Sequence, residues 1–497
     1  MSTTPAAQSA EVLVMAAQCR AVGPAGVVCA AAPLAAQAGE RALRDGGNAF
    51  DAAVAAALAE TVLLPPKCGL GGDLVAIVLR AGAAAPEALL AIGGAPSGLA
   101  DHATAVARGG WRDVGPHSVG PPGAPHGYAA LAALGRLGLE RLAAPATSLA
   151  RTGFPWATVC TRLSEQAAAL VHEMNPGGCA YYPGGRPIAP DTVVSLPGLA
   201  EVLDELVRRG ASLMEGPVGD AVIDAVGRRG GVLVHEDFAH ARAEWTTCAA
   251  GSMDGPAGTL AVWTTPAPTH GASLIDAVSG FTTDLTTPAR AVSHVMRAIR
   301  TSRATLADPG GTSMVSAGDA EGNVVVVVHS NSYPRFGSGI VVDGFDLVLA
   351  NRAGRGFTAE PGHPNFPVAG RRPATTLHAW AVAGPDGHPR FMGATPGGAN
   401  QMPWNAQTLA RIAAGEDDPG ILVTSPIWEW LPEDDGLRIE GGFSTGDVES
   451  LRASAPRTIV ASRWACKSAQ QVVRIPRAGE PWIGAADPRT VGLALGV

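Results

Sequence analysis

The sequence has few cysteines, no histidines at metal-binding spacing and no long apolar run. Each of these shortages argues against one class of protein. Its seven cysteines are scattered without a C-x-x-C pair, so we expect neither a disulfide framework nor a zinc knuckle, and a reducing compartment fits best. No uninterrupted apolar stretch reaches the ~18 residues of a transmembrane helix. The twelve histidines form no H-x-x-x-H or H-E-x-x-H pair, so we expect no metal site.

Charge and nucleotide motifs are also sparse. Charged residues make up 16% of the chain and the net charge is −8. Because no basic stripe alternates with aromatic residues, we expect no nucleic-acid partner. The chain has no Walker A or dinucleotide fingerprint, and we expect no cofactor. A cationic start is lacking and Glu11 interrupts the first apolar stretch, so no signal peptide is expected. We therefore expect a cytoplasmic protein without a membrane partner.

What the sequence does contain is a mixture of helical and strand patterns typical of a large globular protein. Asn48 and Asp51 are spaced like a helix N-cap and its acidic partner. Two apolar runs flank the turn at Glu321-Gly322-Asn323, which predicts a hairpin. Strands are predicted at 26–30, 74–79, 339–349 and in a hairpin of 375–383 with 389–394, and helices at 35–44, 49–60, 293–305 and through much of 121–242. Two sheets covered by helices satisfy this order.

One threonine stands at the head of the predicted hairpin. In Gly310-Gly311-Thr312 the threonine follows a glycine pair, an arrangement that is most often an ordinary turn. A threonine at a chain terminus, however, carries its own base in the α-amino group. That amine has a pKa of ~7.7–8.0, close to neutral pH. Cleavage between Gly311 and Thr312 would therefore produce a nucleophile and a base together.

Two further segments carry groups that acyl transfer needs. Gly397 and Gly398 lie in Thr395-Pro396-Gly397-Gly398, where backbone N–H groups can approach a reacting carbonyl and stabilise an oxyanion. Thr375 and Thr376 offer two hydroxyls that could hold a substrate carboxylate or orient a loop. Each segment, taken alone, is also a common turn.

Several short motifs follow one another along the chain in a characteristic order. They are Gly46-Gly47-Asn48-Ala49-Phe50-Asp51, Gly69-Leu70-Gly71-Gly72, Ser118-Val119-Gly120-Pro121-Pro122-Gly123, Arg151-Thr152-Gly153-Phe154-Pro155, Thr312, Asp319 with Gly322-Asn323, Phe336-Gly337-Ser338-Gly339-Ile340 and Pro396-Gly397-Gly398. Together they resemble the γ-glutamyltransferase family of N-terminal-nucleophile hydrolases over most of the chain.

The resemblance implies a fold and a chemistry. The expected fold is α+β, a four-layer αββα sandwich. The expected precursor cleaves before Thr312 into a large region, 1–311, and a small region, 312–497, which together form one composite domain. Thr312 would carry the acyl group, Ser330 would support its amine, and Gly397 and Gly398 would form the oxyanion hole.

The substrate-binding positions depart from the family pattern. The family's carboxylate-binding arginine falls near Ile92, its amine-binding aspartate at Gly356, and an asparagine at Ser332. Arg352 and Arg355 stand where the family is neutral or acidic, and arginine matches carboxylates in shape and charge. We therefore expect a carboxylate-bearing acyl group without an α-amine, although these two arginines can also be read as solvated surface residues.

The leading functional prediction is an amidohydrolase or acyltransferase acting on a small-molecule substrate. One alternative is a C–C bond hydrolase of bacterial secondary metabolism that acts on an oxalyl or keto-acid intermediate. The other is a non-catalytic homologue that serves as a binding or scaffold protein. The expected partners are the large and small subunits from one precursor, and assembly into a higher oligomer is left open.

Overall fold

The computed structural model describes residues 10–256, 258–281, 291–302, 311–333, 335–432, 434–455 and 457–497. The helices are α1 Ala10–Cys19, α2 Pro33–Arg44, α3 Ala49–Leu63, α4 Leu99–Gly110, α5 Ala124–Ala132, α6 Gly138–Thr152, α7 Thr158–Met174, α8 Pro197–Arg209, α9 Pro217–Gly227, α10 Gly271–Val278, α11 Val292–Ser302, α12 Arg352–Gly356, α13 Gln401–Ala413, α14 Pro419–Thr424 and α15 Thr445–Ser454. The strands are β1 Arg20–Gly23, β2 Gly26–Ala30, β3 Asp73–Leu79, β4 Glu87–Ala91, β5 Phe154–Pro155, β6 Val193–Val194, β7 Ala243–Thr247, β8 Ala249–Gly255, β9 Gly258–Thr264, β10 Thr312–Asp319, β11 Val324–Ser330, β12 Val341–Val342, β13 Leu347–Val348, β14 Trp380–Ala383, β15 Pro389–Ala394, β16 Trp428–Leu431, β17 Gly436–Glu440, β18 Thr458–Ala461, β19 Gln471–Arg474, β20 Trp482–Ala486 and β21 Leu493–Gly496.

Two antiparallel sheets dominate the described part of the chain. Sheet I has the order β1-β20-β19-β15-β14-β9-β8, and sheet II has the order β21-β2-β10-β11-β3-β4-β7. Among the described strands the chain passes between the two sheets five times: from β1 to β2, from β7 to β8, from β9 to β10, from β11 to β14 and from β20 to β21. Both sheets contain strands from before and after residue 312, so neither sheet is built from one half of the sequence alone.

The valine run of β11 explains how the layers stack. Successive side chains of a strand point to opposite faces. Val326 and Val328 accordingly pack between the sheets, against Met392 of sheet I. Val325 and Val327 pack on the other face, against the helices that cover sheet II. Helices α10, α11 and α13 cover the outer face of sheet I in a third core. This arrangement confirms the predicted α+β fold with four αββα layers.

The N-terminus of α3 shows how local sequence fixes part of this frame. The Asn48 side chain accepts hydrogen bonds from the backbone of Phe50 and Asp51, and Asp51 accepts one from the backbone of Asn48. This is the predicted capping box. Asp319, at the end of β10, accepts a further bond from the backbone of Ala49 at 2.8 Å. The start of α3 is thereby attached to the hairpin that carries Thr312.

Some predicted elements differ from the observed ones. The strand predicted at 339–349 is wrong: β12 and β13 pair as a short hairpin, because Gly344 turns the chain with a φ of 77°. The strand predicted from residue 375 begins only at Trp380. Part of the helix predicted at 293–305, and Gly310, lie outside the described residues. None of the helices in the described parts of the chain combines the length and apolar composition needed to cross a bilayer.

Candidate active site

The hairpin of β10 and β11 places Thr312 directly opposite Ser330. The two residues are register partners at the open end of the hairpin. The Thr312 hydroxyl donates a hydrogen bond to the Ser330 Oγ at 3.2 Å. Both side chains are buried, with Thr312 only 1% exposed. The structure therefore brings together the predicted nucleophile and its predicted supporting hydroxyl.

Ser330 also contacts the peptide bond that precedes Thr312. Its hydroxyl donates to the carbonyl oxygen of Gly311 and accepts a hydrogen bond from the backbone of Ser332 at 2.8 Å. Gly311 is tightly enclosed, since a Cβ at this position would lie 2.0 Å from the Ser332 carbonyl oxygen. Ser332 itself has a φ of 67°. The chain on both sides of the predicted junction is thus held in one conformation around the Ser330 hydroxyl.

Arg352, at the start of α12, is the cation nearest to this hydroxyl among the contacts of the described residues. One Nη lies 3.5 Å from Ser330 Oγ, and Nε donates to Asp73 Oδ2 at 3.0 Å. The side chains of Arg352 and Asp73 are only 4% and 3% exposed. Burial raises the pKa of Asp73, and the Arg352 guanidinium opposes that shift. The ion pair therefore fixes a guanidinium beside the hydroxyl pair.

Arg355 lies on the same helix but further out. Its guanidinium forms an ion pair with Asp113 and lies 5.8 Å from the centre of the Tyr333 ring. Arg335 lies on the same ring at 5.6 Å. Tyr333 and Arg335 were not predicted as site residues, because nothing in their local sequence distinguishes them from an ordinary loop. Tyr333 and Arg335 follow β11 directly, and the hairpin register that sets Ser330 opposite Thr312 places them near Thr312.

The other predicted residues form a second group. With the Gln401 amide oriented to satisfy both of its neighbours, its nitrogen donates to the Thr376 carbonyl at 3.0 Å and its oxygen accepts from the Gly398 backbone at 3.3 Å. Thr375 Oγ1 accepts from the backbone of Leu377. Among the hydrogen bonds of the described residues, none joins this group to Thr312. Gly397, with a φ of 149°, is closed in by the Trp404 ring, 2.3 Å from where a Cβ would be.

His378 supports this second group from within the core. Its Nδ1 lies 2.8 Å from the Thr376 carbonyl oxygen and its Nε2 lies 2.8 Å from the Asn405 amide nitrogen. This pattern fits a neutral ring that donates to Thr376 and accepts from Asn405. Burial lowers the pKa of His378 to about 4.

We expect His378 to make the fold acid-sensitive. The histidine of the unfolded chain binds a proton below pH ~6.5, whereas the folded one resists it down to a pH of about 4. This stabilisation is complete above pH ~6.5 and is lost as the pH falls toward 4, by about 3 kcal/mol. Urea unfolding at several pH values should show a smaller acid loss in His378→Gln than in the wild type. The exposed His388→Gln should behave like the wild type, and equal losses in all three proteins would contradict the assignment.

A buried polar cluster lies beneath the hairpin, on the helix-facing side of sheet II. His329 Nε2 is 2.8 Å from Glu60 Oε2, and its Nδ1 is 2.6 Å from the Tyr128 hydroxyl. Cys68 brings a third ligand-type atom within 4.8 Å of those of Glu60 and His329. These residues come from separate segments of the chain, so no metal-type spacing in the sequence predicts the cluster. The carboxylate, imidazole and phenol already bond to one another, which accounts for their burial.

The chain is similar in sequence and in fold to several known proteins. The family model described as gamma-glutamyltranspeptidase matches residues 35–283 and 280–497. The chain is 25% identical to the glutathione hydrolase-like YwrD proenzyme of Bacillus subtilis, over 93% of this chain and 97% of that protein. It is 26% identical to the oxamate amidohydrolase proenzyme of Klebsiella pneumoniae, over 95% and 98%. The solved cephalosporin acylase of Bacillus halodurans superposes with a TM-score of 0.85 at 24% identity, covering 100% and 98% of the two chains.

Proposed function

The chain belongs to the gamma-glutamyltranspeptidase family, and from that premise we propose that Thr312 is the nucleophile of a self-cleaving hydrolase or acyltransferase. The family and its acylase and amidohydrolase relatives make the chain an enzyme of the N-terminal-nucleophile type. The observation that carries the proposal is the Ser330 hydroxyl, which bonds both the Thr312 hydroxyl and the Gly311 carbonyl. The relatives named proenzymes support a precursor that is cut into residues 1–311 and 312–497.

Self-cleavage follows from this arrangement in two steps. The Thr312 oxygen attacks the Gly311 carbonyl carbon, the C–N bond breaks, and the Thr312 nitrogen takes up the proton that the hydroxyl loses as an ester forms. Water then hydrolyses the ester, which leaves a carboxylate on Gly311 and a free amine on Thr312. Negative charge develops on the Gly311 oxygen during the attack, and the Ser330 hydroxyl already donates to that atom.

The mature enzyme uses the same hydroxyl on an external substrate. The freed amine of Thr312 takes the hydroxyl proton, the oxygen attacks the substrate carbonyl, and the leaving group takes that proton as it departs. Water or an amine then accepts the acyl group. We assign the oxyanion to the backbone N–H groups of Gly397 and Gly398. In the uncut chain the Gly398 N–H bonds to Gln401 at the long distance of 3.3 Å, so that bond is readily exchanged for one to substrate.

The acyl group is proposed to carry a carboxylate but no α-amine. Ile92 is fully buried in the core between the sheets, so it offers no charge to a substrate. At Gly356, a Cβ would lie 2.4 Å from the Pro373 side chain and 2.6 Å from the Ala374 carbonyl oxygen. The backbone has closed over the space that an amine-binding carboxylate would need. Arg352, held beside Ser330, is left as the group that can bind an acyl carboxylate.

Gly356→Asp should therefore destabilise the protein without creating γ-glutamyl activity. We expect a loss of about 2 kcal/mol or more in the free energy of unfolding, because the new side chain must displace backbone and a proline ring. Thermal or urea unfolding measures the loss, and a γ-glutamyl anilide assay measures activity. Gly446→Asp is the matched control, since a Cβ there meets nothing within 4 Å. A stable Gly356→Asp variant with γ-glutamyl activity would contradict the proposed pocket.

A donor screen tests the proposed function. The protein as purified is supplied with γ-glutamyl, glutaryl, oxamyl and keto-acid amides of one amine, and kcat/KM is measured for each. We expect at least one donor that lacks the α-amine to exceed the γ-glutamyl donor by tenfold or more. A clear preference for γ-glutamyl would overturn the assignment of the acyl group, and absence of turnover on all four would overturn the proposed class of substrate.

A further inference from the structure

Three guanidinium groups extend from the hydroxyl pair toward solvent, and the outer two lie on one tyrosine ring. We propose that Arg335, Tyr333 and Arg355 form a second anion-binding subsite, which holds a carboxylate on the leaving group. The substrate would then be an amide between a carboxylate-bearing acyl group and a planar amino carboxylate. The inference rests on the proposed function for the acyl half and extends it to the other half.

The position of the subsite follows from two contacts. A Cβ built on Gly311 lies 3.6 Å from an Nη of Arg335, so this guanidinium borders the residue next to Thr312. The Tyr333 carbonyl accepts a hydrogen bond of 2.5 Å from the Asn351 side chain, which ties the tyrosine loop to the residue preceding α12. Arg335 therefore lies next to the residue that precedes the nucleophile, and the Tyr333 backbone is tied to the start of the helix that carries Arg355.

The electrostatics favour an anion at this place. Arg355, whose side chain is 14% exposed, is paired with Asp113, whose side chain is 49% exposed, so the carboxylate of the pair can turn into water and give up its place to a substrate carboxylate. The Arg355 Nε is buried and has no hydrogen-bond partner among the described residues. Arg335 adds a second positive charge on the same ring. A carboxylate can accept from a guanidinium fork while a planar group attached to it packs against the Tyr333 ring.

The geometry of α12 separates the two subsites. Arg352 and Arg355 are three residues apart, so they lie on one face of the helix. The Arg352 side chain is only 4% exposed and approaches Ser330, whereas the Arg355 side chain is 14% exposed and lies on the Tyr333 ring. The inner guanidinium suits the acyl carboxylate and the outer pair suits a second carboxylate further along the substrate.

A pair of donors that differ only in charge tests the subsite. The acyl group that works best in the donor screen is coupled to 4-aminobenzoate and to 4-aminobenzamide. We expect kcat/KM to be about tenfold higher for the benzoate, as one charged contact allows, and this preference to shrink with added salt. The ratio should fall toward one in Arg335→Gln and Arg355→Gln. Arg372→Gln, which loses an ion pair with Glu244 at 2.7 Å, should keep the wild-type ratio.

Binding measurements separate failure of the subsite from failure of the proposed function. Calorimetry compares 4-aminobenzoate with 4-aminobenzamide on the wild type and on Arg335→Gln. If no donor is turned over but benzoate binds about tenfold more tightly, and Arg335→Gln removes that difference, the subsite stands and the proposed function fails. If donors are turned over without any preference for benzoate in rate or binding, the subsite is wrong and the proposed function stands. Absence of both turnover and preferential binding overturns both.

Discussion

Thr312→Ala is expected to remain one uncut chain of 50.2 kDa and to show no acyl transfer. The wild type should separate on denaturing electrophoresis into residues 1–311 and 312–497. The substitution removes the hydroxyl that attacks Gly311 and leaves Ser330 without the group it supports. Loss of a nucleophile typically lowers kcat by 10³-fold or more, and here the blocked amine adds to that loss.

Two variants control for packing at this position. Thr312→Ser keeps the hydroxyl and should still cleave and turn over substrate, at a reduced rate. Ser313→Ala removes a buried hydroxyl on the neighbouring residue, whose side chain points to the opposite face of β10, and should be processed normally. Cleavage of Thr312→Ala before residue 312, or a wild-type chain that persists after long incubation, would refute the assignment of the nucleophile.

Arg352→Ala is expected to reduce both stability and activity on carboxylate-bearing donors. Its removal leaves Asp73 as a buried carboxylate without its guanidinium partner, which costs about 3–5 kcal/mol. Urea unfolding measures this loss. Arg438→Ala breaks a more exposed ion pair with Glu429 at 2.6 Å and should cost less than ~1 kcal/mol.

The double variant Asp73→Asn/Arg352→Met separates the structural role of Arg352 from its role in binding. Replacing the whole buried pair by neutral groups should recover most of the stability, because no unpaired charge remains. Activity on carboxylate-bearing donors should stay at least tenfold below the wild type, since the guanidinium is still missing. A double variant with wild-type activity on these acids would show that Arg352 does not bind the acyl carboxylate.

Local signals predicted the frame of this protein better than they predicted its pocket. The capping box at Asn48 and the turn before Asn323 depend on neighbouring residues, so short-range spacing was enough to predict them. The strand expected at 339–349 failed because the exposed turn dipeptide Asp343-Gly344 interrupts its apolar residues, a local signal that the prediction passed over. Tyr333 and Arg335 gain their place from the pairing of β10 with β11, and the surrounding loop sequence carries no periodic signal of that pairing.

The cores on the two faces of sheet II were predictable because their signal is also local. The valines of β11 are apolar on both faces, as a strand covered on both sides requires.

The contact between Arg352 and Asp73 joins residues almost 280 positions apart, and no pattern in a single sequence predicts such a pair. For the same reason the buried bonds of His329 with Glu60 and Tyr128 became visible only in three dimensions.

The interleaving of strands in the two sheets has a consequence for timing. β2, beside β10, is itself bordered by β21, which ends at Gly496, so this sheet is complete only after Gly496 has been synthesised. The Ser330 hydroxyl reaches Thr312 through the pairing of β10 with β11 in that same sheet. The cleavage proposed above would therefore follow completion of this sheet. A free α-amine on Thr312 would then identify molecules in which the sheet has formed.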